Sequence, residues 1–158
     1  MPHPETTLRV AADVRNLEQI RRFVRAAAES AGADTSAAWD LVQAVDESAT
    51  NVIVHGYRGD AGSLEIVVEL EGDRFVVRIV DDAPPFDPTR VPAPDMDQPL
   101  ERRPLGGMGV HLTRELTDEV YHRELERGGN ELTLVKRLAG DAGRREPGGA
   151  GGEVRAWT

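Results

Sequence analysis

Glu47, Asn51 and His55 stand four residues apart. On a helix that spacing stacks them along one side, bordering the apolar stripe rather than opposing it. Asparagine costs a helix interior up to ~0.7 kcal/mol relative to alanine, so its presence there asks for a use. A site for a divalent cation and a nucleotide supplies one. An amide oxygen is a hard ligand suited to magnesium, and a carboxylate one turn away can position or deprotonate a hydroxyl. An ordinary solvated helix edge would show the same residues.

A second cluster, Asp81-Asp82-Ala83-Pro84-Pro85-Phe86-Asp87, lies where a strand pattern ends and breaks. A buried carboxylate at a strand end can accept a hydrogen bond from the exocyclic amine of adenine. Bases lacking that donor are rejected because the carboxylate is left unpaired. A proline turn or an oxygen-ligand calcium loop would use similar residues, although EF-hand spacing is absent. The third cluster, Gly106-Gly107-Met108-Gly109, opens a helix. Glycines let backbone approach closely and free amides at a helix start attract anions, so phosphates fit there; a flexible hinge is the alternative. Arg102 and Arg103, just upstream, could swing onto a terminal phosphate as forked cations or remain surface charge. There is no P-loop, no HExxH or other zinc spacing, and no GxSxG elbow.

The elements that must position these clusters can be read from periodicity. Thr7 to Ala12 is a short strand, and Leu17, Ile20, Val24 and Ala27 define a helix started by Asp13 and ended by Gly32. A second helix starts at Asp34, Thr35 or Ser36 and carries Leu41, Val42, Val45, Ala49, Val52 and Ile53 to His55–Gly56. Alternation of Leu64, Ile66, Val68 and Leu70, then of Phe75, Val77 and Ile79 across the turn 71–73, predicts a hairpin. Pro88 to Leu105 holds five prolines and no periodicity, which marks a functional or disordered loop. A helix over Val110 to Leu116 follows, then strands over Glu119–Glu126 and Glu131–Leu138 flanking the turn 127–130. The residues after Leu138 are glycine-rich and poor in apolar groups, the composition of a disordered tail over 139–158. Helices first and then a run of strands argue for an α+β fold, with one domain over 1–138.

Composition bounds the function. Lys+Arg total 19 against 28 Asp+Glu, a net charge of −9, and aromatic residues make up 4%. That balance works against nucleic acid, which needs a cationic footprint and stacking platforms. No run reaches the ~18 apolar residues of a membrane span, and the N-terminus lacks signal-peptide character. With no cysteine, disulfide scaffolds, thiolate zinc sites and cysteine catalysis are excluded; the cytoplasm is the compatible compartment.

Taken in order, Glu47-Ser48-Ala49-Thr50-Asn51 with His55-Gly56-Tyr57 resembles the N box of the Bergerat-fold ATPases, the superfamily of gyrase, MutL and histidine kinases. Asp81 through Pro88 resembles its first glycine box, and Gly106 through Leu112 its second. The compact length and the ending Asp118-Glu119-Val120 … Asn130 to Lys136 are similar to bacterial anti-sigma factors that double as serine-protein kinases. The resemblance implies a two-layer α/β sandwich holding ATP and Mg²⁺ under a mobile lid, Pro88 to Leu105. It places Glu47 as general base, Asn51 on magnesium and Asp81 on adenine. Ala83, Arg103, Gly106, Gly107, Met108, Gly109 and Val110 complete the nucleotide site. It also implies a sigma factor and an anti-anti-sigma (STAS-type) protein as partners, and a homodimer. Ala83 and Pro85 depart from the glycines usual in the first box. Ala83 is harmless at an ordinary φ and strained at a positive one, and Pro85 removes an amide donor. Two functions follow: transfer of the ATP γ-phosphoryl group to a serine or threonine, or a module that sequesters a sigma factor with little catalysis. A histidine-kinase catalytic domain is a third reading, but the chain is too short to add a histidine-bearing hairpin.

Overall fold

The computed structural model describes residues 6–90, 92, 97, 99 and 107–139. Five strands form one antiparallel sheet: β1 (Thr6–Ala11), β2 (Ser63–Glu71), β3 (Arg74–Asp81), β4 (Glu119–Glu124) and β5 (Asn130–Arg137), in the order β1-β2-β3-β5-β4. The expected alternation holds. Leu64, Ile66 and Val68 of β2, Phe75, Val77 and Ile79 of β3 and Leu132 and Leu134 of β5 share one buried face. Against it pack α1 (Leu17–Ser30) and α2 (Thr35–Asn51), contributing Ile20, Val24, Ala28, Leu41, Val45 and Ala49 to the same core. Each fully buried Leu, Ile, Val or Phe contributes about 1.5–3 kcal/mol. With α3 (Gly107–Leu116) beside α2, this is the two-layer α+β sandwich read from the sequence.

Local chemistry fixes the element ends. Asp13 caps a 3-10 turn, Val14–Asn16, that leads into α1. Of the three candidate caps for α2, Asp34 serves, accepting from the Ala37 N–H at 2.8 Å. Arg21 of α1 grips Asp46 of α2 at 2.7 Å. Lys136 of β5 donates to Asp40 of α2 at 2.9 Å and to the Leu116 carbonyl at 3.0 Å. The last contact puts a cation on the C-terminus of α3, where the helix dipole favours it.

Three departures from the sequence reading bear on the site. After Asn51 the second helix widens into a π turn, Val52–Gly56, closed by the Tyr57 N–H on the Val52 carbonyl at 2.9 Å. α3 starts at Gly107 rather than Val110. Asn130 opens β5 instead of ending the preceding turn. The tail at 140–158, with Arg102, Arg103, Gly106 and most of the expected lid, lies outside the described residues.

Candidate active site

α2 brings Glu47 and Asn51 one turn apart on a half-buried edge. Among the described residues neither side chain makes a hydrogen bond or ion pair. Their neighbours are all engaged. Asp46 is held by Arg21, the Ser48 hydroxyl donates to the Ala44 carbonyl at 2.8 Å, and the Thr50 hydroxyl to the Asp46 carbonyl at 2.7 Å. Ser48 also meets Thr113 of α3, with 3.4 Å between the hydroxyl oxygens. The helix therefore spends Asp46, Ser48 and Thr50 on architecture and leaves Glu47 and Asn51 to act on a ligand. His55 does not join them. The π turn breaks the four-residue spacing and leaves His55 exposed, so the expected stack of three is a stack of two.

The same π turn brings Gly56 under the end of β3: a Cβ on Gly56 would stand 3.1 Å from that of Ala83. Ala83 is buried, and its φ is not positive. Alanine thus sits in the first box without strain. Tyr57 ties the two boxes together. Its hydroxyl accepts from the Asp82 N–H and donates to the Ser63 carbonyl, both at 2.8 Å. The sequence places Tyr57 in the N box without a role, although an aromatic hydroxyl in an apolar setting normally has a partner.

Asp81 ends β3 on the buried face and is 3% exposed. Burial pushes its carboxyl above the ordinary value, opposed by hydrogen bonds from Asn130 and the Ala83 N–H. Both bonds, at 2.9 Å, fall on Oδ1, so among the described residues Oδ2 takes none. An acceptor held in this way suits the amine of a purine. The sequence pattern predicts Asn130 as the last turn residue, yet it lies directly across from Asp81 in the β3–β5 ladder and is itself buried. A polar residue at an inward position of the strand was the missed signal.

Gly107, Met108 and Gly109 form the first turn of α3, whose free backbone amides suit phosphate; Val110 behind them is buried. α2 packs against α3 and also touches β3, the elements that carry the three predicted clusters. At the head of the expected lid, the 3-10 turn Pro88–Arg90 is clamped from α3. Arg114 donates to the carbonyls of Pro88 at 2.9 Å and Thr89 at 2.6 Å. No helix of the described residues is long and apolar enough to cross a membrane. Nor do they hold a cluster of three His, Asp or Glu able to bind a metal. A magnesium ion carried by phosphates and water with a single amide ligand needs no such cluster, so Asn51 fits it.

The chain is a sheet backed by three helices, with an asparagine and a carboxylate on one helix edge and a buried aspartate at a strand end. Residues 10–136 match the model of the histidine kinase-like ATPase domain, and the chain belongs to that family. It is 32% identical over 85 residues to the serine-protein kinase RsbW of Bacillus cereus strain AH187, covering 51% of this chain and 53% of that protein. The serine-protein kinase RsbW of Bacillus mycoides strain KBAB4 is 31% identical over the same length and coverage. The chain thus spans about half the length of the curated relatives it matches. A solved chain bearing the RsbU and RsbW domains of Rv1364c from Mycobacterium tuberculosis superposes with a TM-score of 0.61 at 21% identity. The match covers 87% of this chain and 32% of that one, and shows likeness of fold.

Proposed function

We propose that this chain is an anti-sigma factor that uses ATP and magnesium to phosphorylate a serine or threonine of an anti-anti-sigma protein, and that sequesters a sigma factor. The observation that carries the reading is the pair Glu47 and Asn51, whose side chains make no hydrogen bond or ion pair among the described residues while their sequence neighbours Asp46, Ser48 and Thr50 are engaged. In this reading Asp81 receives the purine amine, and the amides of Gly107, Met108 and Gly109 face the phosphates, with Arg103 and Gly106 completing that end. Asn51 would hold magnesium, which would supply charge neutralisation on the phosphates. Glu47 takes the proton of the attacking hydroxyl as that oxygen bonds to the γ-phosphorus and the bond to the leaving ADP oxygen breaks.

The partners, like a cytoplasmic homodimer built from residues 1–138 with 139–158 as a tail, rest on the family resemblance. The test is incubation with labelled ATP, magnesium and a candidate anti-anti-sigma protein. Label transfer that disappears in Glu47→Ala supports the kinase. Nucleotide binding with no transfer to any such protein leaves a sequestering module, and no thermal shift at millimolar ATP sinks the nucleotide site itself.

A further inference from the structure

Asp81, Asn130 and His122 lie on the same face of three adjacent strands, β3, β5 and β4. His122 is 7% exposed at its side chain, so all three are enclosed. The Asn130 carboxamide can sit only one way. Its Oδ1 accepts from the Phe86 N–H at 2.9 Å, and its NH₂ faces three acceptors: Asp81 Oδ1 at 2.9 Å, the Pro84 carbonyl at 3.3 Å and the Ala83 carbonyl at 3.4 Å. Flipping it would set oxygen against three oxygens and NH₂ against an N–H. Nε2 of His122, 2.8 Å from that same Oδ1, must therefore donate. The other ring nitrogen, Nδ1, faces Asp87 Oδ1 at 3.8 Å, and that carboxylate in turn holds the N–H and hydroxyl of Thr89 at the head of the lid segment.

Resting on the reading of Asp81 as the purine acceptor, we infer that His122 and Asn130 are positioning residues for base recognition: the imidazole N–H locks the Asn130 carboxamide, which pins Oδ1 of Asp81 and leaves Oδ2 aimed at the purine amine. Neither touches the nucleotide. Without the His122 donor, Oδ1 of Asn130 keeps only Phe86, the carboxamide tilts, and Asp81 gains the freedom to turn Oδ2 inward. The cost falls on ligands that use the amine, not on phosphate binding.

The experiment measures the affinities of MgATP and of magnesium purine riboside triphosphate, which lacks only the amine, by calorimetry. Wild type should favour ATP. His122→Leu should lower that preference about tenfold, the worth of one hydrogen bond, by weakening ATP alone. His122→Gln, which restores an N–H donor, should recover most of it. A purely structural role would weaken both nucleotides alike and leave the ratio unchanged, and that result overturns the inference. A measurement on the unaltered protein stands beside it should His122→Leu not fold: ¹⁵N-resolved histidine spectra must show His122 protonated on Nε2, and a neutral ring protonated on Nδ1 alone overturns the inference. Failure of the underlying reading looks different. There, wild type shows no preference for ATP, or Asp81→Asn leaves that preference intact.

Discussion

Replacing Asp81 by asparagine separates recognition from folding. Oδ1 of Asp81 accepts from Asn130 Nδ2 and from the Ala83 N–H, each at 2.9 Å. The amide oxygen of Asp81→Asn can take both bonds in place. Its new NH₂ then occupies the position of Oδ2 and presents a donor to the donor of a purine amine. A hydrogen bond to a charged group contributes roughly 1.5–3 kcal/mol, so ATP affinity should fall about 10- to 150-fold. Stability should move the other way. Burial holds the native carboxyl above its ordinary 3.8, so the folded chain binds this proton more tightly than the unfolded chain. Stability therefore declines as pH rises from 3.8 through the raised value, and that decline disappears in Asp81→Asn. At pH 7 the ligand-free variant should be at least as stable as wild type, with the gap shrinking on acidification. ATP binding by wild type should weaken as pH falls through the same raised value, because the protonated carboxyl loses acceptor strength. Calorimetry and urea unfolding across pH read these effects. ATP affinity within twofold of wild type, or a stability loss above about 2 kcal/mol, would refute the reasoning.

Glu47→Gln should reduce phosphoryl transfer about 10²- to 10⁴-fold in a single-turnover assay while leaving ATP affinity and melting temperature unchanged, since the side chain has no partner to lose among the described residues. Tyr57→Phe removes two hydrogen bonds, one tying the N box to Asp82 of the first glycine box and one to the Ser63 carbonyl at the start of β2, and should cost about 1–3 kcal/mol. For a chain of this size each kcal/mol lowers the melting point by about 2–4 °C in a thermal melt. Gly129→Ala should destabilise by about 2–4 kcal/mol in urea and weaken ATP binding, because Gly129 has a φ of +96° and its new Cβ would strike the Asp81 carbonyl oxygen. A Gly129→Ala chain as stable as wild type would contradict the close approach of β3 and β5 at that point.

Much of this molecule is decided by local pattern. Alternation of Leu64, Ile66 and Val68 against Phe75, Val77 and Ile79 needs no partner to be read, because a strand's two faces differ in sequence itself. Asp34 caps α2 by an interaction three residues long. Glu47, Asn51 and Asp81 are legible as candidates for chemistry because their types are poorly suited to a helix edge or a buried strand end without a task. Tertiary structure decided the rest. The π turn at Val52–Gly56 has no period of its own in the sequence; it coincides with Gly56 meeting Ala83 and with Tyr57 bonding to Asp82, residues about 25 positions away. It is also what takes His55 out of the site. Ala83 could not be judged from its identity, since the cost of a side chain there depends on a φ that the surrounding packing sets. Asn130 looked like a turn residue until β5 was laid beside β3, because the hydrogen bonds that give it meaning run to Asp81, Phe86 and His122 on other segments of the chain. Sequence specifies which groups are available and which face each occupies; only the folded register decides which of them end within 3 Å of one another.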